Sequence, residues 1–484
     1  MSFSNPAVLL GAAIAAACTL LAIRYWQRAL FGVFVLLVFE GALRKWAFPS
    51  TQAQIYLVKD VILLAAYAGF LLNGRGNQLP LRGVAAIKIV LVLSCVFGLF
   101  EVLNPNSPSI LVGLMGLKSY FLYAPLAFIL PYAFKSREHL FGLIRRYLIM
   151  AIPVAGLGFL QIMAGPESSL NTYVSHTEEA AVLAHFGGEE LVRTSGTFSY
   201  IAGYTAFLSF VGFLAIGYNM ACGWRAKKNI APLLALIFVV GAMFTTGSRA
   251  PVYTLVATTP VILVMAVVCR VIASQVAVRL SILLPVIAIV ALNLSPRAVE
   301  GFADRVSASD DSALSRVSAP LYQIGEALSG GPALGMGIGT THPAALTIMG
   351  TESRWWLHDD LLTEEEMARV TVELGVIGLL LTCLLRFLIA AFALHCAMSF
   401  KDPAYRALGI GLMVYLALGI IFPVIFNATI GLYYWGALGL MLTMRRFEQS
   451  VEAKRFLRRA DQEASREPSM RSRARAALVA PPEA

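Results

Sequence analysis

Apolar segments, each about as long as a bilayer is thick, recur along the chain up to residue 445. Short polar turns separate most of them, and one long polar stretch covers residues 295–367. A helix needs about 20 mainly apolar residues to cross the hydrocarbon core of a membrane. The pattern predicts about 13 spans, at 7–23, 27–43, 56–73, 84–103, 110–132, 145–164, 199–219, 230–246, 250–270, 277–294, 368–395, 405–426 and 429–445. We therefore expect an all-α polytopic membrane protein with about 12–13 transmembrane helices.

Composition narrows the class of protein further. The chain has 484 residues, of which 58% are hydrophobic and only 14% are charged. Soluble proteins carry roughly 25% charged residues, so a water-soluble fold would expose large apolar patches. These values exclude a soluble enzyme, a disordered chain and a coiled coil. The net charge of +10 is explained by basic residues kept on the cytoplasmic side, so no nucleic-acid partner is expected.

Basic residues fall in alternate turns, which predicts the orientation. The basic turns are 75–82, 135–146, 225–228, 270–279 and 401–406, whereas turn 104–109 is uncharged and 165–198 is acidic. Lys and Arg favour cytoplasmic loops. We expect a transmembrane bundle over residues 1–445, with extracytoplasmic loops at 165–198 and 295–367 and a basic cytoplasmic tail at 446–484.

Familiar catalytic motifs are missing from the sequence. It has no Walker A lysine motif, no HExxH and no Gly-x-Ser-x-Gly, and we predict neither a metal site nor a cofactor. GMGIG (335–339) looks like a nucleotide loop, but no strand–helix unit surrounds it. We interpret it as a backbone bend beside the membrane.

Charges in or beside apolar helices are costly to bury and are therefore informative. Arg249 lies in TTGSRAP, and its expected partner is either a carboxylate of the chain or a phosphate. Arg193 precedes small hydroxyl residues at a helix entrance, where an anion is favoured. Lys118 either snorkels to the surface or binds an anion. Arg44 and Lys45 run against the positive-inside bias and favour an external anionic ligand.

Three groups compete for the role of general base. Glu364–Glu366 (EEE) are expected at the first turn of a helix, where they either cap it or take a proton from a sugar hydroxyl. His342 and His358 are the rivals, because the unperturbed pKa of histidine lies closer to neutrality.

An ordered set of motifs resembles a known family. The motifs are VRTSGTF (192–198), TTGSRA (245–250), LSRVSAPLYQIGEALSGGPALGMGIG (314–339) and VELGVIGLLL (372–381), with a weaker match at GLKSYFLYAPL (116–126). Together with the long loop between late helices, they resemble the O-antigen ligase and Wzy-type polysaccharide polymerase superfamily. The resemblance covers roughly residues 190–385.

The resemblance implies a GT-C-like, metal-independent, inverting glycosyltransferase of the bacterial cytoplasmic (inner) membrane. Such enzymes move a glycan from undecaprenyl diphosphate to an acceptor hydroxyl on the external face. We expect a polymerase of O-antigen or exopolysaccharide repeat units rather than a lipopolysaccharide ligase. The implied partners are the undecaprenyl-diphosphate-linked glycan, membrane lipid and a chain-length regulator protein.

The resemblance also assigns residues. It places the diphosphate at Arg193, Arg249 and Arg316. Lys118, singled out by its position within a span, is predicted as a further substrate-binding residue. The family has a His-Asn pair about nine residues before the Glu-Leu-Gly element. That position is Glu364 here.

Because the His-Asn pair is missing, the predicted catalytic group is Glu364, or else His358 from a shifted loop. The alternatives to an enzyme are a lipid-linked sugar flippase or transporter, and a non-catalytic membrane homologue of the family.

Overall fold

The chain forms a helical bundle in a computed structural model. The structure describes residues 16–73, 81, 83–173, 183–186, 189–223, 226–279, 281–282, 313–358, 361–363 and 365–452. For residues 53, 183–186, 189–191, 226–229 and 313–320 it describes the backbone alone. The predicted spans 7–23 and 277–294, the long loop and the basic tail therefore lie partly outside the described residues.

Helices account for nearly all the regular structure. They are α1 (16–24), α2 (Trp26–Ala42), α3 (Gln52–Asn73), α4 (Ala85–Glu101), α5 (Ile110–Phe121), α6 (Ala124–Ala133), α7 (Arg137–Ala164), α8 (Ile201–Ala221), α9 (Ala226–Thr245), α10 (Arg249–Val268), α11 (274–279), α12 (Ala313–Gly330), α13 (Ala344–Met349), α14 (Glu366–Ser399), α15 (Pro403–Leu418) and α16 (428–452). A π-helix, Leu43–Ala47, extends α2 by five residues. An antiparallel hairpin of β1 (Leu183–Phe186) and β2 (Glu189–Val192), which the sequence pattern did not predict, lies in the acidic loop.

Several helices can cross a membrane by length and composition. Six stretches qualify among the described residues: Trp26–Ala47, Gln54–Asn73, Arg137–Ala164, Ile201–Ala221, Arg249–Val268 and Glu366–Ser399. α5 and α6 meet at a bend of 43° and make a seventh if they are counted as one span. The prediction of a helical multi-pass membrane protein is therefore confirmed. The count of about 12–13 spans stays a prediction, because other apolar helices are shorter than a full span.

α8 lies at the centre of the bundle, because it is apolar on every side. It packs against α9 on one side and α15 on another, and most of its residues are buried. Aromatic rings join it to α16: Phe210 stacks on Tyr433 at 4.6 Å between ring centroids. The Tyr433 hydroxyl in turn shares a 2.8 Å hydrogen bond with Tyr147 of α7.

The helix ends separate into two chemically different ends of the bundle. At one, which we call the basic end, Arg137 pairs with Asp402 at 3.1 Å and Arg446 donates to the carbonyl of Pro131 at 2.7 Å. The predicted basic turns 135–146 and 401–406 therefore lie together. At the other, the polar end, the residues around 40–60, 101–118, 161–173, 192–200, 245–249, 333–358 and 365–376 meet. Of the candidate functional residues, Lys118, Arg193 and Arg249 are at this polar end.

Candidate functional site

Five charged side chains of α2 with its extension, α3 and α5 form a network at the polar end. Lys59 Nζ lies 2.9 Å from Glu40 Oε2, and Arg44 Nη1 lies 3.4 Å from the other oxygen of the same carboxylate. Asp60 pairs with Lys118 at 2.7 Å. The two carboxylates thus face three cations. Lys118 is tied into this network rather than extended to the surface.

The ring of Tyr56 lies among these cations. Lys59 Nζ is 3.7 Å from the ring centroid, Lys118 Nζ is 4.6 Å away and the Arg44 guanidinium is 5.3 Å away. An aromatic face attracts cations through its quadrupole, so the ring reduces the cost of gathering like charges. Arg44 Nε is buried and has no hydrogen-bond partner within the described part of the chain.

Lys45 lies beside this network and is held by the segment VRTSGTF (192–198). The side chain is buried, and its Nζ donates to Ser195 Oγ at 3.1 Å and to the Gly196 carbonyl at 2.7 Å. Arg44 Nη1 likewise donates to Ser199 Oγ at 2.9 Å. Two basic side chains at the end of α2, Arg44 and Lys45, therefore hold the segment 193–199 by hydrogen bonds.

The second motif adjoins the first. Thr194 N donates to the Thr245 carbonyl at 3.2 Å, and the two threonine hydroxyls lie 2.8 Å apart. Arg193 Nε lies 3.5 Å from the Thr246 carbonyl. Arg249 begins α10 a few residues further along. The two arginine-bearing motifs, about 50 residues apart in sequence, are neighbours at the polar end.

The glycine-rich segment 335–339 is a backbone bend, as its sequence predicts. Gly335, Gly337 and Gly339 have φ values of 87°, 98° and 89°, which favour glycine. The bend pairs with α14 where that helix is interrupted at Gly375, whose φ is 60°. Gly337 N donates to the Glu373 carbonyl at 3.0 Å, replacing a hydrogen bond that the interrupted helix cannot make.

The Glu373 side chain anchors the residues that follow this bend. It is fully buried and accepts hydrogen bonds from Gly339 N at 2.9 Å, from Thr341 N at 2.9 Å and from Thr341 Oγ1 at 2.6 Å. Arg369 Nε donates to the same Thr341 hydroxyl at 3.0 Å, and Nη2 donates to the Thr341 carbonyl at 2.9 Å. Because Thr341 Oγ1 accepts from Arg369, its own proton is free to go to Glu373. The bend is thus fixed through hydrogen bonds to α14.

Next along the chain, His342 lies among three cations. Burial is the largest cause that lowers its pKa, to about 4, and the positive charges of Arg369, Lys118 and Arg354 lower it further. Its Nδ1 accepts a hydrogen bond from Ala344 N at 3.0 Å. Lys118 belongs to the α2–α3–α5 network, so this region and that network are continuous.

Arg354 belongs to the same region. Its Nη2 lies 3.4 Å from the Thr341 carbonyl, and its buried Nε has no hydrogen-bond partner among the described residues. Trp356, two residues after Arg354, is buried, and its Nε1–H donates to the Thr340 carbonyl at 3.1 Å. Two guanidinium N–H groups, on Arg44 and Arg354, are therefore buried at the polar end without a described acceptor.

Glu366 has a structural role. Its carboxylate is buried against Arg386 and accepts hydrogen bonds from the backbone N–H groups of Val424, Ile425 and Phe426 at 2.7 to 3.2 Å. A carboxylate with these partners is satisfied. It holds the turn before α16 against α14.

The remaining predicted residues have varied surroundings. His358 is exposed at the surface. Glu364 and the side chain of Arg316 lie outside the described residues. The roles predicted for Lys118, Arg193 and Arg249 stay predictions, although all three lie at the polar end.

Sequence reasoning did not single out Lys59, Asp60, Arg369 or the Glu373 carboxylate. Adjacent opposite charges inside the apolar run YLVKDVILL were an available signal for the first two, because intramembrane charges are expensive. Arg369 and Glu373 are four residues apart on one helix, a spacing that also occurs on solvated faces, so nothing local marked them.

Comparisons with known proteins do not name a family. Neither a family model nor a curated protein matches the chain. Within the described residues, no group of three or more His, Cys, Asp or Glu side chains is placed to hold a metal ion.

Proposed function

We propose that the protein is an inner-membrane glycosyltransferase that polymerises or ligates glycan units carried on undecaprenyl diphosphate, in O-antigen or exopolysaccharide synthesis. One observation carries the proposal. Three cations face two carboxylates in the α2–α3–α5 network, and Arg44 Nε and Arg354 Nε have no described acceptor at the polar end. A buried donor without a partner costs about 1–3 kcal/mol. A diphosphate supplies both the missing charge and the missing acceptors.

The same chemistry suits the departure of the glycan. When the glycosidic bond to the carrier breaks, negative charge develops on the diphosphate. Fixed cations and N–H donors at that place stabilise the charge without reorganising. Guanidinium groups suit phosphate because they donate two parallel hydrogen bonds.

A cleft beside Ser248 offers a place for the lipid part of the donor. It lies between α8, α10, α15 and the turn before α16. Its walls are mostly apolar, with Phe213 and Phe422 among them, and Thr254 and Tyr415 add hydroxyl groups. The cleft begins one residue from Arg249. An isoprenoid chain lying there would have its diphosphate near the polar end.

The first test substitutes Arg249 by Ala in a cell whose surface glycan depends on this protein. We expect shorter glycan chains at unchanged protein level, because the substitution removes a cation from the proposed carrier site. The matched control is Arg137→Ala, which removes an exposed arginine from the basic end. Unchanged glycan length in the Arg249 variant would contradict the assigned role of this residue.

The second test separates transfer from transport. The purified protein is mixed in detergent micelles with a defined undecaprenyl-diphosphate oligosaccharide, and the masses of the products are measured by mass spectrometry. Micelles have no two sides, so a flippase produces no new compound, whereas a polymerase yields multiples of the oligosaccharide. If no product forms, either with the oligosaccharide donor alone or with an acceptor glycan added, the enzyme proposal is refuted and the transporter or the non-catalytic homologue is favoured.

A further inference from the structure

The hydrogen bonds of His342 restrict its chemistry. Ala344 N–H donates to Nδ1 at 3.0 Å, so Nδ1 presents a lone pair to the backbone. A neutral imidazole has one N–H, and here it must be on Nε2. With Nδ1 accepting and Nε2 carrying the proton, the ring has no free lone pair to take a proton from a substrate.

The backbone holds the ring in this state. His342 N donates to the Gly339 carbonyl at 3.0 Å, and Ala345 N donates to the His342 carbonyl at 2.9 Å. The preceding residue, Thr341, is bound to Glu373 and Arg369. The main chain is therefore fixed on both sides of His342, and the Ala344 N–H orients the ring through Nδ1.

The charged groups that bear on the ring come from three separate elements of the described chain. Arg354 Nη2, from the segment after α13, lies 3.4 Å from the carbonyl of the preceding residue, Thr341, and Arg369 Nη2 of α14 donates to the same carbonyl at 2.9 Å. Lys118 of α5 adds positive charge and is itself paired with Asp60 at 2.7 Å. The Glu373 carboxylate is occupied by Gly339 and Thr341. An N–H donor beside two guanidinium groups is arranged to meet an anion.

We propose that His342 binds a phosphate oxygen of the carrier through its Nε2–H, at a site formed with Lys118, Arg354 and Arg369, and is not the general base. This inference deepens the proposed function and rests on it. Arg369 uses Nε and Nη2 to hold Thr341, and Arg354 uses Nη2, while the buried Arg354 Nε remains available to the ligand. The site therefore has the Nε–H of Arg354 and the Nε2–H of His342 as donors, beside the positive charge of Arg369.

Inorganic pyrophosphate is the probe, titrated by calorimetry into the full-length protein in detergent. His342→Gln keeps an N–H near the position of Nε2, whereas His342→Asn is too short to reach it. We expect His342→Gln to bind within about twofold of the parent protein and His342→Asn to bind about ten- to a hundredfold more weakly. His395→Gln, which alters an exposed histidine at the other end of the bundle, is the control.

The outcomes discriminate between binding and base catalysis. If His342 were the base, both variants would bind pyrophosphate normally and both would lose glycan transfer, which would overturn the proposal. Absence of pyrophosphate binding by the parent protein would also overturn it, while transfer from the lipid-linked oligosaccharide would still test the enzyme proposal separately.

Nuclear magnetic resonance reads the position of the ring proton directly in the parent protein. The protein has six histidines, so ¹⁵N-labelled imidazoles can be assigned by substitution. We expect His342 to carry its proton on Nε2 and to keep that state between about pH 7 and about pH 5. A proton on Nδ1 would refute the donor role.

Discussion

We expect removal of the Glu373 carboxylate to destabilise the polar end strongly, because one side chain there accepts hydrogen bonds from several buried donors. Glu373→Ala leaves three buried donors without their acceptor: Gly339 N, Thr341 N and Thr341 Oγ1. Each buried donor that loses its partner costs about 1–3 kcal/mol, so the sum is at least about 3 kcal/mol before water enters. Glu373→Gln keeps one acceptor oxygen but places an NH₂ group against a donor, and we expect a cost of about 2 kcal/mol.

Hydrogen–deuterium exchange measures this effect locally. The amides of Gly339 and Thr341 are themselves the affected donors, so peptides covering residues 335–345 should lose protection. A local loss of about 3 kcal/mol corresponds to exchange about a hundredfold faster in Glu373→Ala. The control is Glu352→Gln, which neutralises an exposed carboxylate in the neighbouring segment.

A specific result would refute this reasoning. If peptides 335–345 exchange equally fast in the parent protein and in Glu373→Ala, the carboxylate does not hold the bend. Faster exchange throughout the whole protein would show instead that the variant unfolds globally. The expected order of protection, from highest to lowest, is Glu352→Gln, then Glu373→Gln, then Glu373→Ala.

Three further predictions concern stability. Gly339→Ala should lower the apparent Tm and Gly142→Ala should not, because a Cβ at Gly339 would lie 2.3 Å from a carbonyl oxygen of α5 at a φ of 89°, whereas Gly142 has open space. The pKa of His342 is about 4 in the folded protein and about 6.5 in the unfolded chain, so between these pH values only the unfolded chain binds a proton at this residue. The Tm should therefore fall as the pH drops from about 6.5 to 4, and it should fall less steeply in His342→Gln. Glu366→Gln and Arg386→Met should each destabilise by about 3–5 kcal/mol, and a double-mutant cycle in denaturant should give a total well below their sum. Additive losses would show that the pair is not coupled.

Much of the architecture was accessible from the chain alone. Hydrophobic length predicts helices where α2, α3, α7, α8 and α10 occur, because a bilayer requires about 20 apolar residues and satisfied backbone groups. Alternation of basic turns predicted that Arg137 and Lys401 lie at the same end, and the Arg137–Asp402 pair agrees. Shorter elements were harder to predict, because the β1–β2 hairpin has no span-length signal.

The polar end shows where sequence reasoning stopped. Arg193, Arg249 and Lys118 stood out because charges next to apolar helices are costly to bury. Their partners did not stand out. Lys118 of α5 contacts Asp60 and the Tyr56 ring, and both of these residues lie on α3, which ends at Asn73. Which cation meets which carboxylate depends on how helices far apart in the chain are packed.

Local stretches of the chain are enough to specify a helical membrane bundle with cationic motifs beside its spans, because bilayer thickness and the cost of burying charge act on each stretch separately. Other features exist only once distant segments pack together. The glycine bend fits into the break of α14 at Gly375, Glu373 anchors Thr341, and His342 presents Nε2–H among three cations. The bend and the Thr341 anchor depend on hydrogen bonds between segments that are far apart in the chain, and the surroundings of His342 depend on charges from such segments. No local pattern specifies how these segments pair.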